Sequence, residues 1–283
     1  MDIFSFWDKG RANAPKAVQI CLDRWEQMNP GHKLHVLDEA DLRRIVTDLP
    51  FDIGALPVQA RSDILRVRLL RMYGGAWVDA TLLPVLPLDR WSEAYLGSAG
   101  VFLFAGRPSH WRLGNYFILA PEGSYLIDAW DDAARGYWTH PRKLVDFMLP
   151  PSRPIGPRGT PKALLTRGKG WPYVSFVWKW HYDMLYPVSQ AGRRSRFFPY
   201  FWQMYLMMQL IETDPKVRSA VEVMTYRNHE LSHTVQHFRG YLAEDFEKSI
   251  PTALLCSPVQ KLDWRVEWPD AVFQLPDPDR VLI

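Results

Sequence analysis

Cysteine is nearly absent: Cys21 and Cys256 stand at opposite ends of a 283-residue chain. Two distant thiols form no disulfide framework and no Cys-x-x-Cys motif, and they fit a reducing compartment. No run of about 18 apolar residues occurs, so no membrane span is expected. The nearest approach, "FFPYFWQMYLMMQLI" at 197–211, contains Pro199, Gln203 and Gln209 and reads as a buried helix rather than an interfacial one. The start, "MDIFSFWDKG", lacks a basic n-region and an apolar h-region, so no signal peptide is expected. An excess of one charge is lacking too. Lys and Arg number 34 against 31 Asp and Glu, a net +3. That is too mild for a nucleic-acid binder, but it fits a phosphate pocket or weak attraction to an anionic membrane surface. A P-loop is also missing, because Gly168-Lys169 is followed by Gly170.

What is present is a large apolar share, 47%, and 13 tryptophans. Excess Trp and Tyr suit sites that stack sugars or bases, although most of these rings are expected in the core. Strand-like and helix-like stretches alternate through the first 130 or so residues. Strands are predicted at 3–7, 33–38, 76–78, 101–105 and 115–120. Helices are predicted after an Asn13 cap through "NPG", over "EADLRRIV", over "VQARSDILRVRLLRMY" and at 125–138. This pattern predicts an open α/β, Rossmann-like, mainly parallel sheet. Ligands of such sheets sit beyond the C-terminal strand ends, where Trp7 and Asp79 would both lie. Residues 150–172 are crowded with proline, glycine and basic residues and read as a loop. The chain is then aromatic and mainly helical to about 248, with a proline-rich tail from Pro251. One domain over 1–283 is expected, with a nucleotide-sugar-binding α/β part at 1–140 and a mainly helical acceptor-side part and tail at 141–283.

The most informative stretch is "SDILRVRLLRMYGGAWVDAT", residues 62–81. It reads as a basic helix, a Gly74-Gly75 stop that suits positive φ, a short apolar strand, and one carboxylate, Asp79. An acid at a buried strand end is costly to desolvate without a partner, so a cation beside Asp79 is expected. Asp63 and Arg66 lie one helical turn apart and share a face. With Asp79 they could frame a polar pocket. The plain alternative is a surface ion pair with a strand-end cap.

This stretch resembles the signature of the capsular polysaccharide synthesis proteins and the related glycosyltransferase family thirty-two, roughly S-D-I-x-R and then Y-G-G-x-W-x-D-A-T. "FWDKG", "NAPKAVQICLDRWEQMNPGHKLHVLD", "LGNYFILA", "LIDAWDDAARGYW" and "CSPVQKLDW" extend the resemblance over most of the chain, weakly between 140 and 195. The resemblance implies a GT-A-type fold with a helical C-terminal half. It implies transfer of a sugar from a nucleotide-sugar donor, UDP-sugars being favoured, to a saccharide or lipid-linked acceptor in capsular or exopolysaccharide synthesis. Retention of anomeric configuration is implied, and no general base is nominated. Mn²⁺ or Mg²⁺ bound with the donor diphosphate would be held by Asp79 and Thr81, a degenerate D-x-D in which Thr81 replaces the second carboxylate. Asp63 and Arg66 are implied to contact the donor, as catalytic residues with Asp79. Phe6 and Trp7 fall where relatives hold the base, and Asn115 joins the donor-binding set. Where the family tends to read H-K-L, this chain has Gln260-Lys261-Leu262, which makes Lys261 the better phosphate contact. A cytoplasmic protein with peripheral contact at the inner membrane face is implied, with no nucleic-acid partner.

Two alternatives come from other classes. "HELSH", His229 to His233, matches the zinc-peptidase pattern H-E-x-x-H, with Glu230 as base and His237 one spacing further on. Against it, Asn228 is polar where a buried metallopeptidase helix should be apolar, and no Met-turn follows. A non-catalytic nucleotide-sugar-binding module is the other alternative.

Overall fold

A computed structural model describes residues 1–106, 113–145, 171–242 and 245–283. The basic loop read at 150–172 therefore lies, except for its last two residues, outside the described residues. The first part of the chain runs β1 (Asp2–Phe6), α1 (Lys16–Met28), β2 (Lys33–Leu37), α2 (Glu39–Ile45), α3 (Val58–Tyr73), β3 (Gly75–Val78), β4 (Leu82–Pro84), α4 (Ser92–Leu96), β5 (Phe102–Ala105), β6 (Leu113–Ala120) and α5 (Tyr125–Tyr137). Then follow β7 (Lys143–Val145), α6 (Trp171–Tyr182), β8 (Phe197–Pro199), α7 (Trp202–Thr213), α8 (Pro215–Glu222), α9 (Thr234–Tyr241), α10 (Phe246–Leu254) and β9 (Val259–Lys261).

The central sheet has the order β2-β1-β3-β6-β5. β1 pairs in parallel with β2 and β3, while β6 is antiparallel to β3 and to β5. Four strands thus run one way and β6 runs the other, a mixed α/β sheet that is mostly parallel. The direction of β6 has a simple cause. The linker 106–112 is too short for the dozen or more residues that a parallel crossover needs.

Some boundaries differ from the sequence reading. Asn13 does not cap α1; it ends a 3₁₀ turn, Arg11–Asn13, and its side chain donates to Lys9 O at 2.8 Å. Pro15 precedes the first residue of α1, and its carbonyl accepts from Gln19 at 3.0 Å. The stretch 197–211 is not one helix. Phe197–Pro199 pairs in parallel with β7, and α7 starts only at Trp202, because Pro199 cannot sit inside a helix without losing a hydrogen bond. Pro251 does not open the tail either, since it lies within α10.

The core joins both parts of the chain. One buried cluster contains Phe4, Trp77 and Ile118 together with Phe176, Trp202 and Tyr205. Helix α3 is buried nearly all round, including its charged residues Asp63, Arg66 and Arg68. Buried charges must be paired, and Arg68 is. Its Nε lies 3.0 Å from Asp131 of α5 and its Nη1 lies 2.8 Å from Asp48. Arg71 and Arg135 add contacts to Asp131 at 3.3 and 3.5 Å. This lock fixes α3 against α5. Asp131→Ala removes the buried carboxylate that three guanidinium groups share, leaving them Asp48, Asp128 and Asp132, and is expected to cost about 3 kcal/mol, read as a drop in denaturation midpoint. An unchanged midpoint would show that the lock contributes nothing.

Candidate functional site

The geometry of α3 and β3 explains why Asp63, Arg66 and Asp79 meet. Gly74 and Gly75, at φ 60° and 97°, reverse the chain between them. An added Cβ on Gly75 would sit 2.3 Å from Asp2 O, so this reversal needs glycine. From the reversal, α3 runs back over roughly 16 Å to reach Asp63 at 1.5 Å per residue. β3 runs forward roughly 13 Å to reach Asp79. Both therefore arrive at the C-terminal edge of the sheet. On the neighbouring strand Phe4 pairs with Trp77, so Phe6, two residues on, lies level with Asp79.

Arg66 is the centre of the site. Its Nη2 lies 3.1 Å from Asp63 Oδ1 and 3.3 Å from Asp79 Oδ1. Its other amino group donates to the Asn115 carbonyl, and the guanidinium lies 5.1 Å from the centroid of the Trp77 ring. Asn115 Nδ2 donates to Asp63 Oδ1 at 3.0 Å and to Gln203 Oε1 at 2.7 Å, and Gln203 Nε2 donates to Asp63 O at 2.6 Å. Asp79 accepts from Trp77 Nε1 at 3.0 Å. Its backbone N–H donates to Tyr116 O, and its carbonyl accepts from Leu82 in a turn that leads into β4. β4 pairs with β9 so that Leu82 faces Lys261. That pairing delivers Lys261 Nζ to within 3.1 Å of Asp79 Oδ2 and into a hydrogen bond with Thr81 Oγ1. The cations expected beside Asp79 are thus two side chains of the same protein.

The electrostatics follow from this arrangement. Burial would raise the Asp79 carboxyl, but Lys261 and Arg66 hold it below the ordinary range. Burial pushes the Asp63 carboxyl up to about 7, with Asp79 adding to the rise and Arg66 opposing it. An unfolded Asp titrates near 3.9, so the folded state holds this proton more tightly. The stability from Asp63 is then fully present below about pH 4 and is lost as pH rises through about 7. Asp63→Asn is expected to gain on wild type by a few kcal/mol between pH 5 and pH 8, read from melting temperatures. A gap that does not change with pH would contradict this.

A resident divalent ion does not fit these donors. Such ions take about six oxygen ligands, and Asp79 and Thr81 offer one carboxylate and one hydroxyl that Lys261 already spans. Among the described residues no group of three or more His, Cys, Asp or Glu could hold a metal.

Sequence reasoning passed over several neighbours of the site. Gln203 bonds the Asp63 backbone carbonyl and the Asn115 amide, and Trp77 donates to the Asp79 carboxylate. Trp7 packs edge-on against Trp264, with ring centroids 5.8 Å apart, and it also packs against the cluster of Ala14, Val18, Leu22 and Ala80. Trp264 is half-open to solvent and lies under Arg265. Tyr200, although 40% exposed, has its phenol raised by partial burial and by the charges of Asp63 and Asp79. The strongest available signal was Trp264, three residues after Lys261. Gln260 takes no part in the site. It is fully buried, accepts from Val235 and donates to Leu231 O and Ala253 O.

The His229–His233 segment is a 3₁₀ helix rather than the α-helix that the zinc motif needs, although the two rings lie 6.0 Å apart. Glu230 is engaged by His229 at 3.1 Å and by His237 at 3.5 Å. His233 Nδ1 lies on His229 O at 2.9 Å, and burial lowers its imidazole to about 4. Purified protein is expected to hold no stoichiometric zinc, and Glu230→Gln is expected to change stability by less than about 0.5 kcal/mol, as surface substitutions do. Stoichiometric zinc in purified protein, lost in His233→Ala, would contradict that expectation.

Residues 1–150, just over half of the chain, match the profile of a family described as capsular polysaccharide synthesis protein. Among curated relatives, a glycosyltransferase of Aspergillus fumigatus is 29% identical over 157 residues, 48% of this chain and 40% of the relative. An O-glycosyltransferase of Annulohypoxylon truncatum is 26% identical over 171 residues, 53% of this chain and 40% of the relative. The match thus spans well under two thirds of these relatives. Among solved structures, the ligand-free glycosyltransferase domain of the YGT toxin is 12% identical at a TM-score of 0.37, covering 89% of both chains. The PaToxG glycosyltransferase is 12% identical at 0.34, covering 69% of this chain and 84% of that one. No described helix is long and apolar enough to cross a membrane.

Proposed function

The chain belongs to the capsular polysaccharide synthesis protein family, and from that premise we propose that it is a GT-A-type glycosyltransferase. It moves a sugar from a nucleotide-sugar donor, a UDP-sugar by preference, to a saccharide or lipid-linked acceptor in capsular or exopolysaccharide synthesis. The observation that carries this reading is Arg66, fixed between Asp63 and Asp79 beside Lys261 at the C-terminal edge of the sheet. That edge is where open α/β sheets bind ligands.

Residues 1–140, joined by Lys261 and Trp264 from the tail, hold the donor in this reading, and the helical part from 141 closes the acceptor side. Trp7, flanked by Phe6 and Trp264, offers the base a ring to lie on. Asp63 and Asn115 meet hydroxyls of the donor sugar. Arg66 and Lys261 face the diphosphate, for which a fixed guanidinium fork is well shaped. Asp79 keeps both cations in place. The C–O bond from the anomeric carbon to the diphosphate breaks, and its electron pair goes to the phosphate oxygen. The acceptor oxygen forms the new bond on the same face, and its proton passes to the departing phosphate, so the configuration is retained. Preorganised cations at the developing negative charge supply the main rate term. Such a protein works at the cytoplasmic side, in peripheral contact with the inner membrane face when its acceptor is lipid-linked.

Melting temperatures with a panel of nucleotide sugars test this reading. One donor at 100 times its Kd stabilises by about 2.7 kcal/mol, a shift of several degrees. No shift with any donor would defeat it.

A further inference from the structure

We infer that the Lys261 ammonium is a built-in replacement for a divalent ion, so that this protein binds the diphosphate of its donor without metal. The inference rests on the donor reading above and deepens it. Three observations point this way. First, Nζ bridges Asp79 Oδ2 and Thr81 Oγ1, the two oxygens that a D-x-D-like motif would give to a cation. Second, an ammonium has three N–H donors, and these two partners leave one for a phosphate oxygen. The pair is reachable: the Lys261 and Asp79 side chains are 20% and 21% exposed. Third, the ammonium does not depend on a floppy stem for its position. β9 is registered on β4 through Leu82 and Lys261, Leu83 and Gln260, and Pro84 and Val259. Leu262 N–H adds a bond to Thr81 O at 2.9 Å. Gln260, fully buried and with its amide bonded to three backbone groups, pins the strand from its other face.

A divalent ion at Asp79 would have to displace this ammonium and would then face it at close range, a like-charge contact. A fixed ammonium meets the same need as the ion, positive charge beside the phosphate that departs. It requires no binding step of its own. Thr81, where the fuller motif has a second carboxylate, fits this arrangement. A hydroxyl accepts a hydrogen bond from Lys261, and a second carboxylate would instead cancel the charge that Lys261 offers to phosphate.

The test is the affinity of UDP, GDP and dTDP, measured by calorimetry in EDTA and in Mn²⁺. Wild type is expected to bind one of them with Kd values in the two buffers that agree within about threefold. Lys261→Met is expected to lose at least about tenfold in EDTA, as for a lost charge-assisted hydrogen bond, and to recover part of it in Mn²⁺, because Asp79 Oδ2 and Thr81 Oγ1 are then free. Lys261→Arg keeps the charge and is expected to bind without metal. It keeps the comparison open if the methionine variant fails to fold. Wild-type binding that appears only with Mn²⁺ would overturn the inference and leave the donor reading standing. Lys261→Met that binds in EDTA as tightly as wild type would do the same. No binding of any of the three in either buffer would overturn both.

Discussion

Replacing Asp79 with asparagine is expected to slow sugar transfer by on the order of 10²-fold or more, as for loss of a main electrostatic stabiliser. Asparagine keeps the shape and removes the charge. Arg66 and Lys261 both lean on that charge, at 3.3 and 3.1 Å. Without it the two cations are free to move off the positions where the diphosphate needs them. The fold is expected to lose about 2 kcal/mol, because two charged groups each lose a partner. Steady-state rates with the preferred donor and a denaturation curve give both numbers. A variant with wild-type rate would reduce Asp79 to a strand-end cap.

Arg66 is expected to tolerate even less. Arg66→Lys keeps one positive charge but loses the planar fork, and one ammonium cannot span Asp63, Asp79 and the Asn115 carbonyl together. Transfer is expected to fall by roughly 10³-fold, at the upper end for one preorganised donor. Arg66→Ala leaves the buried Asp63 carboxylate without its cation and Asp79 with Lys261 alone, and is expected to cost about 3 kcal/mol of stability. Comparing kcat/KM with the unfolding midpoint separates the two effects. Lysine that supports the full rate would mean that the shape of the guanidinium is not used.

How much of this was legible in the chain differs from residue to residue. Asp63, Arg66 and Asp79 were readable because they lie on one helix–turn–strand unit, and the lengths of α3 and β3 fix where they meet. Lys261 was readable only as a phosphate contact by resemblance. Its bond to Thr81 depends on β9 pairing with β4, a contact 180 residues apart in sequence that no local pattern encodes. Gln203 and Trp77 read as plain core residues, since nothing in a helical or strand period marks which buried amide or indole will reach the site. The motif pointed to Mn²⁺ or Mg²⁺ at Asp79 and Thr81, bound with the donor diphosphate, and it gave no sign of the Lys261 ammonium that lies between those two residues. The sheet was read as mainly parallel, and the reversed β6 was missed although linker 106–112 was short enough to show it. Pro199 and Pro251 had opposite outcomes, the first breaking a helix and the second lying inside one. Proline marks a boundary only when the following residues do not gain more by packing.

The central claim is that Asp63, Arg66, Asp79 and Lys261 form the seat of a donor diphosphate. A crystal structure with the tightest-binding nucleoside diphosphate, grown in EDTA, tests it most directly. The account predicts phosphate oxygens within about 3 Å of Lys261 Nζ and of the Arg66 guanidinium, with the base against Trp7. A diphosphate seated away from this edge, for example over His229 and His237, would contradict it.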